Sequence, residues 1–158
     1  MMERKEEKII VSEMDTSFAE EIMSYPGGEN LRKCFACGSC TAGCPISEID
    51  ENYSPRRLVR KILFGMREEV LTSPTIWFCL VCYRCFAHCP QKVNFPDLMR
   101  VLRYLAIKEG YAKPEIMEHI KEVDKRLQIF RHDLIKYDIV KHTSARYQGH
   151  KNNIDKKV

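Results

Sequence analysis

Eight cysteines, arranged as one pattern used twice, limit what this chain can fold into more than any other feature. They stand at Cys34, Cys37, Cys40 and Cys44, and again at Cys79, Cys82, Cys85 and Cys89. Each set reads C-x2-C-x2-C-x3-C and runs into a proline, Pro45 or Pro90. The second set repeats the first at an offset of 45 residues, with no cysteine left over. The stretch Met1-Met2-Glu3-Arg4-Lys5-Glu6-Glu7-Lys8 offers none of the apolar character of a secretory signal. The expected compartment is the reducing cytoplasm, where disulfides are rare and grouped cysteines serve metals.

The spacing narrows the metal. Zinc sites commonly use two well-separated C-x2-C pairs. Three cysteines at Cys34, Cys37 and Cys40 are awkward round one tetrahedral ion, but they can curl round three irons of a [4Fe–4S] cubane. The fourth cysteine lies further out, and the proline after it fixes φ and turns the chain away. In two-cluster ferredoxins with this spacing the fourth cysteine ligates the other cluster. The expected ligand sets are Cys34, Cys37, Cys40 and Cys89 for cluster 1, and Cys79, Cys82, Cys85 and Cys44 for cluster 2.

Charge agrees with a redox role. The polypeptide carries a formal +4. An oxidised cubane of about +2 with four thiolates contributes about −2 per site, so two sites bring the total near zero. The excess of Lys and Arg is matched by the cofactors and does not by itself indicate nucleic acid. Gly38 and Gly43 in the first motif stand where the second has Tyr83 and His88. Hydrogen bonds and burial around sulfur tune potential, so two unequal potentials are expected.

The remainder reads as helix. The 158 residues suit one domain, and 44% apolar with 30% charged residues argue against disorder. The longest apolar run, Ile76 to Tyr83, is far too short to cross a membrane. Residues 1–16 form an N-terminal arm, charged and then briefly β-prone at Ile9-Ile10-Val11, either frayed or paired with a partner's edge. Asp15-Thr16-Ser17 can cap a helix from Phe18 to Ser24, which Tyr25-Pro26-Gly27-Gly28 ends. A short helical piece leads from Glu29 into the first motif. Ser54-Pro55 reads as N-cap and first helical residue. Leu58, Val59, Ile62, Leu63 and Met66 then share a stripe, predicting a helix from Pro55 to Arg67. Ser73-Pro74 starts another short helix that carries Ile76, Trp77 and Phe78 into Cys79. Asn94-Phe95-Pro96 opens a helix with Leu98, Val101, Leu102, Leu105 and Ala106 on its apolar face, closed by Gly110. Lys113-Pro114 opens a last helix, 113–141, with Ile116, Ile120, Val123, Leu127, Phe130 and Leu134 near heptad spacing. Residues 142–158 lack periodicity and carry +3 as a basic tail. The fold class is all-α, with two cluster-binding lobes related by the repeat.

At this point the residues resemble a known family. Cys34-Phe35-Ala36-Cys37-Gly38-Ser39-Cys40-Thr41-Ala42-Gly43-Cys44-Pro45, with Ser54-Pro55-Arg56, Ile76-Trp77-Phe78-Cys79 and Cys85-Phe86-Ala87-His88-Cys89-Pro90, is similar to the C subunit of heterodisulfide reductase over residues ~20–140. The resemblance implies an α-helical ferredoxin domain at 17–112 and two [4Fe–4S] clusters on the eight cysteines. It implies heterodisulfide reductase partners too: a flavin-containing A subunit, and a catalytic B subunit that reduces the mixed disulfide of coenzyme M and coenzyme B. A hydrogenase or formate dehydrogenase belongs to the wider complex. This chain would be a non-catalytic electron-transfer subunit, since it lacks the cysteine-rich CCG motif of the catalytic one. Related complexes of sulfur metabolism, glycolate oxidases and quinone-linked dehydrogenases use similar iron–sulfur components and form the alternative.

No catalytic set is present. His88, His119, His132, His142 and His150 are scattered, and no Walker A or G-x-G-x-x-G loop occurs. His88 reads as a partly buried helix residue or as a donor to sulfur. His119 and His132 read as surface positions. Trp77 reads as a shield for a cluster or as core packing. Arg56, Arg57, Arg60 and Lys61 read as a solvated face or as a docking surface for an acidic neighbouring protein. The basic tail without interleaved aromatics is poor support for nucleic-acid binding.

Overall fold

The computed structural model describes residues 14–142. Most of the expected N-terminal arm and all of the basic tail beyond residue 142 lie outside the described residues. The described residues contain helices and turns and no strand, as an all-α reading requires. The chain divides into two units, one ending at Ala112 and the other beginning at Lys113.

In the first unit, α1 spans Phe18–Met23. Asp15 starts it: its Oδ1 accepts both the backbone N–H and the hydroxyl of Ser17, at 2.9 and 2.6 Å. A 3-10 turn, Leu31–Lys33, leads into the first motif. Within and after that motif come α2 (Ser39–Ala42) and α3 (Pro45–Ile49), the latter begun by the motif's own proline. Then follow α4 (Pro55–Leu63), α5 (Arg67–Thr72), α6 (Thr75–Phe78), α7 (Arg84–Ala87) and α8 (Phe95–Lys108). The Ser54 hydroxyl caps α4 by accepting from the Arg57 N–H at 3.3 Å.

The helix expected from Pro55 to Arg67 is two helices. It stops at Leu63, and Met66 precedes α5 instead of extending the stripe. Gly65 is the reason. Its φ is +75, and a Cβ there would sit 2.2 Å from the Asp15 carbonyl oxygen. The close approach lets the Gly65 carbonyl accept the Asp15 N–H at 2.8 Å, joining the segment before α1 to the α4–α5 turn.

The core is shared between both halves of the repeat. Phe18, Ile22, Leu31, Val59, Ile62, Ile76, Leu98, Leu102 and Leu105 are almost fully buried. Each such side chain contributes roughly 1.5–3 kcal/mol relative to exposure. The α8 helix packs against α1, α5, α6 and α7, while α4 packs against α1, α2 and α5. The five residues expected on the apolar face of α8 are all buried. Arg67 clasps the periphery, pairing with Asp15 at 3.0 Å, Glu21 at 2.7 Å and Glu109 at 2.5 Å. Its guanidinium carbon also lies 5.0 Å from the centre of the Phe18 ring.

The second unit is described by α9, Ile116–His142. It begins two residues after Pro114. Val123, Leu127, Phe130, Leu134 and Tyr137 on its heptad stripe are exposed.

Candidate metal centres

The 45-residue repeat of the sequence is a repeat of backbone. Ala36 and Val81, at matching positions, both take positive φ, +59 and +51. Gly38 and Tyr83 do the same at +90 and +60. Four-residue helices follow at matching positions, Ser39–Ala42 and Arg84–Ala87, and they pack against each other. Leu31 and Ile76, also one repeat apart, anchor the two motifs in the core. Positive φ on either side of the second cysteine folds each triplet back on itself. Glycine takes that conformation freely; Tyr83 does not. Its ring is held instead by a hydroxyl donated to Asp97 Oδ1 at 2.7 Å and by Arg100, 5.7 Å away.

Two cavities result. Cys34, Cys37, Cys40 and Cys89 line one, with Val59, Arg56 and Phe95 among their neighbours. Cys44, Cys79, Cys82 and Cys85 line the other, with Tyr53, Arg84 and again Phe95. Phe95, 3% exposed, borders both. Among the described residues no three His, Cys, Asp or Glu side chains converge tightly enough to hold a lone metal ion. The thiols stand around hollows, an arrangement suited to a cluster several atoms across. Cys37 and Cys82 are exposed, Cys85 is buried, and the other five are half-buried. Each cavity therefore reaches solvent at the middle cysteine of its triplet.

The surroundings fit cubanes bound through thiolates. Backbone N–H groups point at sulfur, Val81 to Cys79 Sγ at 3.4 Å and Val93 to Cys89 Sγ at 3.3 Å. The Ser39 hydroxyl lies 3.4 Å from Cys37 Sγ and holds that thiol below its usual range. Burial raises the thiols of Cys40 and Cys79. Burial, then the neighbouring Cys79, pushes Cys85 up to about 12. Burial thus disfavours the free thiolate at Cys40, Cys79 and Cys85, where bonds to iron would stabilise it.

The charged stripe of α4 separates into four roles. Arg56 lines the first cavity, with Nη1 3.7 Å from where a Gly38 Cβ would lie. Arg57 donates to the carbonyls of Glu51 and Asn52 at 2.8 and 3.2 Å. Arg60 sits over Phe64, and Lys61 pairs with Glu69. His88 is exposed and lies against Gly43, not partly buried as expected. His119 and His132 are exposed. Trp77 is half-buried against the core. Two residues escaped sequence reasoning, Tyr53 and Arg103. Tyr53 sits in the polar stretch Asp50-Glu51-Asn52-Tyr53-Ser54, and Arg103 shares its helix with Arg100 and Lys108, so each is distinguished only by what the fold brings to it.

Residues 30–93 match the family model of a 4Fe-4S dicluster domain. Fold and match together define the class: an all-helical protein carrying a 4Fe-4S dicluster domain. Within that class the chain is a relative of the heterodisulfide reductase C subunits. It is 37% identical over 114 residues to the C subunit of the H(2):CoB-CoM heterodisulfide,ferredoxin reductase of Methanothermobacter marburgensis, covering 72% of this chain and 60% of that protein. It is 32% identical over 118 residues to the iron-sulfur C subunit of the CoB--CoM heterodisulfide reductase of Methanopyrus kandleri, covering 70% and 61%. It is 37% identical over 109 residues to the C subunit of the Ferredoxin:CoB-CoM heterodisulfide reductase of Methanosarcina acetivorans, covering 69% and 43%. The chain thus spans about three fifths or less of the length of these relatives. Among the described residues no helix is long and apolar enough to cross a membrane.

Proposed function

We propose that this chain is an electron-transfer subunit of a cytoplasmic heterodisulfide reductase complex. It relays electrons between a flavin-containing A subunit and a catalytic B subunit that reduces the coenzyme M–coenzyme B disulfide. In this reading Cys34, Cys37, Cys40 and Cys89 hold cluster 1, and Cys79, Cys82, Cys85 and Cys44 hold cluster 2. The observation that carries it is the sorting of the thiols: each cavity collects three cysteines of one motif and the fourth of the other. When bound, each cluster would take up and release one electron at a time. The protein's own work is to pack both sites on one core, exclude water and aim N–H donors at sulfur.

The mouths of the sites support two partners. Phe35 and Leu80, one repeat apart, are 60% and 50% exposed beside the outward cysteines Cys37 and Cys82. Apolar side chains at each mouth suit docking surfaces that bring a partner's redox centre close. Disulfide reduction takes two electrons, so the relay is loaded twice per turnover.

Anaerobic purification tests the reading. The expected preparation carries about eight irons per chain, as two cubanes require, and co-purifies with the A and B subunits and with hydrogenase or formate dehydrogenase components. Cys44→Ala should damage the cluster held mainly by the second motif while the first keeps its paramagnetic resonance signal. Zinc in place of iron, or loss of the first motif's signal in Cys44→Ala, would overturn it.

A further inference from the structure

We propose that the Tyr53 hydroxyl is a hydrogen-bond donor to the cluster in the second cavity and raises the reduction potential of that cluster alone. The proposal rests on the reading that Cys44, Cys79, Cys82 and Cys85 hold a cluster. Tyr53 is 2% exposed, and its buried hydroxyl has no nitrogen or oxygen partner among the described residues; what it faces is the sulfur of Cys79. A buried hydroxyl without a strong acceptor forfeits its hydration, so native proteins rarely leave one. Tyr53 lines the same cavity as those four cysteines. A tyrosine hydroxyl is a ready donor at neutral pH, where the phenol is protonated.

The backbone fixes this aim. The Tyr53 N–H donates to the Asp50 carbonyl at 3.0 Å, and its own carbonyl accepts the Ser47 hydroxyl at 3.0 Å. The repeat offers no counterpart, because the position one offset away is the apolar Leu98 of α8. A donor to cluster sulfur favours the reduced, more negative state. The two sites, alike in backbone, are thereby made unequal in potential.

The test is an anaerobic redox titration of the holoprotein and of Tyr53→Phe, read by paramagnetic resonance. At the parent's midpoint, Tyr53→Phe should show about a fivefold lower reduced-to-oxidised ratio at one cluster, as loss of one such bond implies, with the other unchanged. Electron–nuclear double resonance in deuterated water adds a second readout: an exchangeable deuteron coupled to one cluster in the parent and absent in the variant. Two clusters with unshifted midpoints and no such deuteron overturn the role of Tyr53. A parent chain holding fewer than two clusters overturns the underlying reading instead.

A different observation carries a second inference: α9 pairs antiparallel with α9 of another copy of this chain. Ile116, Ile120, Val123, Leu127, Phe130, Leu134 and Tyr137 recur at alternating steps of four and three, the seam of a coiled coil. Phe130 is 63% exposed and Leu127 55%. The flanking charges select orientation. A parallel pair sets Arg126 against Arg131 and Asp133 against Asp138 of the other copy. An antiparallel pair centred on Leu127 and Phe130 sets Arg126 against Asp133 and Asp124 against Arg131, each twice. All four residues are exposed.

Sedimentation of the full-length holoprotein tests this. The parent should dimerise, Arg131→Asp should weaken dimerisation at least tenfold, and adding Asp124→Arg should restore it. A parallel pair would instead be strengthened by Arg131→Asp, which then faces Arg126. That result, an unaffected dimer, or a monomer at every concentration would overturn the inference.

Discussion

Arg103 Nη2 donates to the carbonyl oxygen of Cys79 at 2.7 Å, from a side chain only 6% exposed. The same guanidinium donates to Ile76 at 2.8 Å and to Trp77 at 3.3 Å. One cation from α8 therefore gathers the carbonyls at the end of α6 and delivers the chain into the second motif. Lysine could keep the charge but not the planar fork of donors.

Arg103→Met removes these bonds and a positive charge near Cys79. We expect a loss of a few kcal/mol, since a hydrogen bond to a charged group contributes about 1.5–3 kcal/mol. We also expect a lower potential at the second cluster, because removing a cation disfavours added negative charge. Heating monitored by the cluster's visible absorbance reads the first effect, and potentiometry the second. Arg103→Lys should recover more of the potential than of the stability.

Arg56 tests the first cavity in the same way. Arg56→Glu should lower the potential of the first cluster and leave the second unchanged. Arg60→Glu, which loses only its place over Phe64, should move neither. An unchanged potential of the first cluster in Arg56→Glu would remove that role, whereas equal loss of co-purification in both variants would mark a shared docking surface.

Gly65→Ala should destabilise the first unit by about 2 kcal/mol or more, combining left-handed backbone strain with a clash. The added Cβ meets the Asp15 carbonyl oxygen, which belongs to backbone and has little room to yield. Gly110 also has positive φ but open space around it, so Gly110→Ala should cost less. Thermal denaturation of the two variants side by side separates clash from strain.

Asp15 predicts an acid-labile corner. Its carboxyl is held below the usual range chiefly by the Ser17 hydroxyl, with Arg67 assisting. A lowered folded-state value favours the ionised group, so its contribution is complete above the ordinary value of about 3.9. It is lost as pH falls through the folded value. Asp15→Asn should flatten the dependence of stability on pH in that acid range. Reading the difference from the parent at each pH removes acid loss of the clusters, which both share.

Much of the site was legible because thiolate ligation needs particular atoms at particular spacings. The repeat of Cys34 to Cys44 at Cys79 to Cys89 reappears as matched backbone at Ala36 and Val81. The break after Leu63 was not legible, because a glycine within an apolar stripe looks tolerable until Asp15 arrives against it. The basic run of α4 looked like one face, yet its four side chains meet different neighbours. Tyr53 and Arg103 carried no local signal at all.

The amino-acid order alone determined the helical class, the two cysteine motifs and the heptad stripe of α9, because periodicity and ligand spacing are short-range properties of a chain. Only the tertiary structure decided which hydroxyl lies buried beside the thiols, which arginine is drawn inside and where the α4 stripe breaks. Those outcomes depend on residues far apart in sequence being packed against one core, where desolvation decides what each polar group must face.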